Sequence, residues 1–307
     1  MLKKIGRLGI VVLLVAVILL SIISLTLLFE SEVGMAKDIG IQEPALSAYD
    51  RSSVPQSVID DAAKKAGELV GKSQEKLPSM VDQLVATYVQ AKNVDVVIFY
   101  NSGGWGWNLT QATPGWASIL DGIKSELANL GYHSLVLNYQ RTSRGIRGCF
   151  KEFFEAATHY PSKAWDLSQW VEFLTDHLPG LRVIIAGEST GTVISAKTMG
   201  ILSDNPQVYS IQTGTPFWYQ PDKSDRTLLM NSNGRGIDTF SYGNVPAMVW
   251  ATFKGWFGLT SPDDNPGDIL SWLKAPGHHY SWQYPGVSSA VVEFLENNLG
   301  KKGEEVF

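Results

Sequence analysis

Arg182-Val183-Ile184-Ile185-Ala186-Gly187-Glu188-Ser189-Thr190-Gly191-Thr192-Val193-Ile194 is the stretch whose reading decides the fold. Residues 182–186 are a short apolar, β-branched run preceded by the Pro179-Gly180 break, which predicts a strand buried on both faces. Val193, Ile194 and Ala196 then suit a helix that begins near Thr192. A chain that passes from strand to helix through Gly187-Glu188-Ser189-Thr190-Gly191 must bend sharply, which strains its central residue. Gly187 and Gly191 are small enough to let strand and helix approach at that bend. Ser189 then stands at the apex with its hydroxyl exposed, and the Thr190 N–H sits at a helix N-terminus, where developing negative charge is favoured.

Working outward, residues 94–100 form another β-branched and aromatic run, which ends at Asn101-Ser102-Gly103-Gly104. Residues 115–130 carry apolar side chains at helical spacing, 133–139 read as a strand, and 163–178 read as a helix leading into the central strand. Residues 208–212 and 227–230 are later strand candidates. Residues 268–274 are a weaker one that is also compatible with the start of a helix. Helices are predicted near 245–257 and 286–299. This alternation predicts an α/β fold: a mostly parallel sheet flanked by helices on both faces, joined by right-handed crossovers. Upstream, 55–70 and 78–90 are amphipathic helical stretches whose simplest use is packing against the main domain. A protein partner docking on residues 55–90 is the alternative. There is no internal repeat, Gly-x-Gly-x-x-Gly or Walker phosphate loop.

The 307 residues are 44% hydrophobic and 18% charged, which describes a folded chain rather than a disordered one. Lys plus Arg number 25 against 30 Asp plus Glu, so no basic surface is available for broad nucleic-acid binding. The single Cys149 excludes an intrachain disulfide and any multi-cysteine metal site.

Lys3, Lys4 and Arg7 precede 22 uncharged residues at 8–29. At 1.5 Å per residue these reach roughly 33 Å, enough for a bilayer core of about 30 Å. The run is longer than the apolar part of a cleaved signal peptide and is followed by Glu30-Ser31-Glu32, so it predicts an uncleaved signal anchor, with a cleaved signal as the alternative. The charge asymmetry places the N-terminus in the cytoplasm and the rest on the exoplasmic side of a single-pass cell-membrane protein. The expected division is a membrane anchor at 1–35, a tether and helical extension at 36–92, and the main domain at 93–307.

In its strand–elbow–helix context, Gly187-Glu188-Ser189-Thr190-Gly191 resembles the nucleophile elbow of the α/β-hydrolase superfamily. The resemblance covers roughly residues 94–299 and implies a serine hydrolase. Ser189 would be the nucleophile and the Thr190 N–H one oxyanion donor. A second donor is implied from the loop after the first strand, where Gly103 is the leading candidate and Gly104 the next, with the Ser102 hydroxyl as another option. Asn101-Ser102 stands where many members carry His-Gly.

A serine nucleophile needs a base that titrates near neutrality, and five histidines are present. His133, His159 and His177 fall at structural or solvent-facing places. Gly277-His278, then Pro285, then Phe294-Leu295 are similar to the superfamily's C-terminal landmarks, so His278 is implied as the base, with His279 as its rival. The acid should lie between serine and histidine in chain order. Asp238 fits best; Asp263, Asp264 and Asp268 compete, and Asp222 and Asp225 follow.

The function implied is a membrane-anchored serine hydrolase that cleaves a carboxylic ester or thioester, lipid-derived ones included, through an acyl-enzyme. It would need no metal or organic cofactor. The alternative is a catalytically inactive, hydrolase-like binding or scaffold subunit of a membrane complex, suggested by the irregular acid loop and the Asn101-Ser102 pair. Among the ten Trp, Trp105, Trp107, Trp218, Trp250, Trp256, Trp272 and Trp282 fall near presumptive active-end loops, where some would line an apolar pocket. Residues 141–162 read as an insertion that forms a lid or an ordinary surface excursion. Asn108-Leu109-Thr110 is a glycosylation acceptor only in a secretory-pathway protein.

Overall fold

The structure is a computed structural model, and it describes residues 53–71, 74–104, 114–139, 155–260, 266–270 and 273–303. Its centre is a five-stranded sheet in the order β2-β1-β3-β4-β5. The strands are β1 Val96–Asn101, β2 Ser134–Asn138, β3 Arg182–Glu188, β4 Val208–Thr213 and β5 Thr227–Met230, and every pairing is parallel. β1 is buried along its whole length and β3 along its interior, as expected for strands covered on both faces.

The strand period of two sorts their side chains into two cores. Val97, Phe99, Val183 and Ile185 face one, and Val96, Ile98, Ile184 and Ala186 face the other. The first core is covered by α1 Gln56–Val70, α2 Leu77–Ala91, α4 Pro161–His177 and α5 Thr190–Ile201. The second is covered by α3 Pro114–Asn129 and α7 Pro285–Leu299. The helices of residues 56–91 therefore use their apolar faces within the fold. Val58, Ala62 and Ala66 of α1, with Leu84, Val85 and Ala91 of α2, are buried in the first core.

Two expectations need correction. Among the described residues no helix is long and apolar enough to cross a membrane. The fold described is a helix-flanked parallel sheet without a transmembrane helix. The stretch read as the span, residues 8–29, lies outside the described residues. The signal anchor, the membrane contact and the single-pass, exoplasmic placement are accordingly dropped from the functional reading. The candidate strand at 268–274 is not part of the main sheet. Its residues fall in an antiparallel hairpin of β6 Pro266–Leu270 and β7 Leu273–Pro276, which forms a separate two-stranded sheet. α6 Val245–Trp256 packs Met248 against Phe240 of the preceding loop and Ala275 of β7, and the Thr252 Oγ1 accepts the Lys274 N–H at 3.0 Å.

The strand order reverses direction between β1 and β3, and the crevice beyond the carboxyl ends of strands at such a point is where open α/β sheets place ligands. Residues 101–104 and the 187–191 elbow both leave the sheet there.

Candidate active site

β3 ends at Glu188 and α5 starts at Thr190, so a single residue makes the turn. Ser189 has φ 51° and ψ −122°, a left-handed conformation that costs a β-carbon residue about 1–3 kcal/mol and persists only where its surroundings enforce it. The glycines explain the enforcement. A Cβ on Gly187 would sit 2.7 Å from the Ser195 Oγ, and one on Gly191 would sit 2.3 Å from the Asn101 carbonyl oxygen. The Ser189 N–H is tied to the Thr213 carbonyl of β4 at 2.9 Å.

At this elbow the structure brings together three residues that the sequence reading selects separately. The Ser189 Oγ is 3.0 Å from the His278 Nε2, and the His278 Nδ1 is 2.8 Å from the Asp238 Oδ2. His278 follows β7 and is held close to the sheet by glycines. A Cβ on Gly214 would meet its Cε1 at 2.6 Å, and a Cβ on Gly267 its carbonyl carbon at 2.5 Å. Asp238 lies in the loop between β5 and α6, fully buried. Its Oδ2 also accepts the Tyr280 hydroxyl at 2.8 Å and the Ser241 hydroxyl at 2.9 Å, and its Oδ1 accepts the backbone N–H groups of Phe240 and Ser241.

Those bonds set its charge. Burial pushes the Asp238 carboxyl up, but the hydrogen bond and charge of His278, with the Tyr280 and Ser241 hydroxyls, outweigh burial and hold it below the ordinary carboxylate value. Burial and the neighbouring Asp238 charge push the Tyr280 phenol far up, so it remains a donor. Replacing Tyr280 by Phe is therefore expected to lower kcat about tenfold with little change in KM, the size of one hydrogen bond to a charged group of about 1.5 kcal/mol. Initial-rate kinetics on a soluble ester checks this.

The competing candidates stand elsewhere. His279 turns its Nδ1 to the Tyr284 hydroxyl at 2.8 Å, and burial lowers its pKa more than nearby Asp268 raises it. Asp268 pairs with Lys274 at 2.6 Å. Asp222 and Asp225 border a cavity of about 960 Å³ between α5 and the β4–β5 edge, which Ser189 and His278 do not line. His133, His159 and His177 are not part of the bonded chain of Ser189, His278 and Asp238; His177 pairs with Asp61 at 3.0 Å. Asp263, Asp264, Trp105, Trp107, Trp272, Cys149, Asn108 and residues 141–154 of the expected insertion lie outside the described residues.

Two features differ from the sequence expectation. The serine expected to stand exposed is largely buried: Ser189 is 4% exposed and His278 8%. The Phe240 ring lies edge-on to His278 at 4.9 Å, and Gly103 approaches so closely that a Cβ there would be 3.0 Å from the Ser189 Cβ. A largely buried pair is shielded from much of the surrounding water, which strengthens its electrostatics. In addition, the Gly103 N–H points at the Glu188 carboxylate at 3.3 Å. Tyr280, Ser241, Phe240 and Glu188 were not picked out from sequence. The usable signals were Tyr280 two positions after His278, Ser241 three after Asp238, and Glu188 inside the elbow itself.

A parallel sheet with an elbow serine at its reversal point, bonded through histidine to a buried aspartate, is an α/β-hydrolase-like fold carrying the machinery of a serine-hydrolase-type enzyme. No family model and no curated protein matches the chain. Among solved structures, Trichoderma reesei cutinase in complex with a C11Y4 phosphonate inhibitor is similar at 11% identity and a TM-score of 0.38, covering 80% of this chain and 94% of that one. That likeness is too low to carry an argument, so the class rests on the sheet order and the bonded residues.

Proposed function

We propose that this chain hydrolyses carboxylic esters, thioesters included, through an acyl-enzyme on Ser189, and that it favours substrates with an apolar acyl group. The observation that carries the reading is the continuous hydrogen-bonded chain from the Ser189 Oγ through His278 to Asp238. His278 takes the Ser189 proton at Nε2 as the oxygen attacks the carbonyl carbon, and Asp238 keeps the other imidazole proton on Nδ1 and offsets the charge that forms. The oxyanion is received by the Thr190 N–H at the start of α5 and by an N–H of the 103–104 loop. His278 then protonates the leaving group, and the same base activates water to release the acid. An intact charge-bearing chain gives the inactive-scaffold alternative no support.

The apolar preference follows from the side chains around His278. Phe240 packs on its ring, and Trp218 and Phe217 pack edge-on to Phe240 at 5.2 and 6.4 Å. Phe217 and Trp218 are half exposed, and α6 presents Val249, Trp250 and Phe253 outward while Met248, Ala251 and Thr252 face inward. Phe240, Trp218 and Phe217 thus give the imidazole an apolar, aromatic surround of the kind that lines binding sites. The boundary near residue 93 is kept as part of this proposal, with residues 56–91 supporting the domain from its first core.

The test is a fluorophosphonate probe together with a p-nitrophenyl ester series. Purified protein should label covalently, and kcat/KM for octanoate should exceed that for acetate by about tenfold or more, equivalent to burying two or so methylenes. Trp218→Ala should shrink that ratio. Absence of labelling in folded protein would overturn the hydrolase reading, and an acetate preference would overturn the apolar one.

A further inference from the structure

The two variable residues of the Gly-x-Ser-x-Gly elbow both reach across to the loop after β1. The Glu188 Oε2 accepts the Gly103 N–H at 3.3 Å and, from the other side, the hydroxyl of the buried Tyr100 at 2.7 Å. The Thr190 Oγ1 donates to the Gly104 carbonyl at 3.0 Å. The loop is thus pinned at consecutive residues, one through its N–H and one through its C=O, by side chains on either side of Ser189. Gly104 is left-handed at φ 58°, a conformation that is unstrained in glycine but not self-enforcing. Something outside the loop must select it.

Tyr100 is itself braced. Its ring lies 5.3 Å from that of Trp116, whose Nε1 donates to the Thr213 Oγ1 at 2.9 Å, and the Thr213 carbonyl holds the Ser189 N–H. The contacts run in a closed circuit through β1, α3, β4 and the elbow.

We propose that Glu188 and the Thr190 side chain are positioning residues that clamp the 103–104 loop, setting the place of the second oxyanion donor relative to the nucleophile. Neither side chain enters the reaction. The Glu188 carboxylate acts through the hydrogen bonds it accepts from Tyr100 and Gly103, which hold the loop in place. The clamp answers the departure at Asn101-Ser102: this chain orders its oxyanion loop from the elbow side. The kinetic consequence rests on the Ser189 reading, whereas the structural consequence does not.

Both are measurable. In Glu188→Ala and in Thr190→Val, kcat should fall about 10- to 100-fold, the effect of a misplaced catalytic group, while KM changes less than about threefold. Affinity for a trifluoromethyl ketone, which forms an oxyanion on the serine, should fall in parallel. Glu188→Gln and Thr190→Ser keep the same acceptor and donor, and each should recover most of what its partner variant loses. Independently of turnover, amide exchange at Gly103 and Gly104 should accelerate about tenfold or more in Glu188→Ala, with the amides of β1 and β3 unchanged. The clamp is overturned if exchange at the loop is unaltered, or if Gln fails to recover the loss of Ala. Wild-type protein with a clamped loop and no ester turnover would instead refute the hydrolase reading and leave the clamp standing as structure.

Discussion

Ser189→Ala is expected to abolish ester turnover and fluorophosphonate labelling, a loss on the order of 10⁵- to 10⁶-fold in kcat. Removing the nucleophile leaves only the binding contribution of the oxyanion donors, so the residual rate stays above that of water without a covalent intermediate. The fold should survive, because among the described residues the Ser189 side chain makes one hydrogen bond, to His278, while the backbone bond to Thr213 is retained by alanine. A paired variant separates chemistry from geometry. At φ 51° both Ser and Ala are strained, whereas glycine is not. Ser189→Gly should therefore be as inactive as Ser189→Ala but more stable by about 1 kcal/mol, read as a raised thermal midpoint. Equal midpoints would mean that the elbow stores no strain. Undiminished labelling of either variant would place the nucleophile elsewhere.

The parts legible in the sequence are those fixed by local sterics. The elbow can be read because Gly187 and Gly191 are needed for contacts of 2.7 and 2.3 Å that any side chain would violate. β1 and β3 can be read because strands covered on both faces must be continuously apolar. The fate of residues 268–274 was not legible. Joining the main sheet or folding back as a hairpin asks the same of a short, mixed run, and the choice is made by α6 packing Met248 against Ala275. The burial of Ser189 and His278 was equally hidden, since it involves Gly103 against the serine and Phe240 against the imidazole, both distant in sequence from the residues they approach. Asp238 was reached by chain order, but its hydroxyl partners were not. Tyr280 lies 42 positions away, and nothing in a tyrosine after a His-His pair says which carboxylate it faces.

Asp238→Asn should lower kcat on the order of 10⁴-fold in a protein that remains folded. The carboxylate accepts on both oxygens: two backbone N–H groups at Oδ1, and the Tyr280 and Ser241 hydroxyls with the imidazole at Oδ2. An amide must place its NH₂ at one of these. Backbone donors cannot reverse, but hydroxyls can rotate and an imidazole can change tautomer. The NH₂ is therefore expected on the His278 side, which makes Nδ1 an acceptor and puts the proton on Nε2, facing Ser189. The base is then blocked rather than removed, so His278 remains in place while its acceptor nitrogen faces away from the nucleophile. Stability supplies a second signature. The folded pKa of Asp238 is depressed, so its contribution is fully present above the unfolded value of about 3.9 and is lost as pH falls through the lower folded value. The stability difference between wild type and Asp238→Asn, measured by urea unfolding, should thus be constant near neutrality and narrow progressively below about pH 4. A gap that widens on acidification would show that this carboxylate does not carry its charge in the fold, and a variant within tenfold of wild-type kcat would show that it does not orient the histidine.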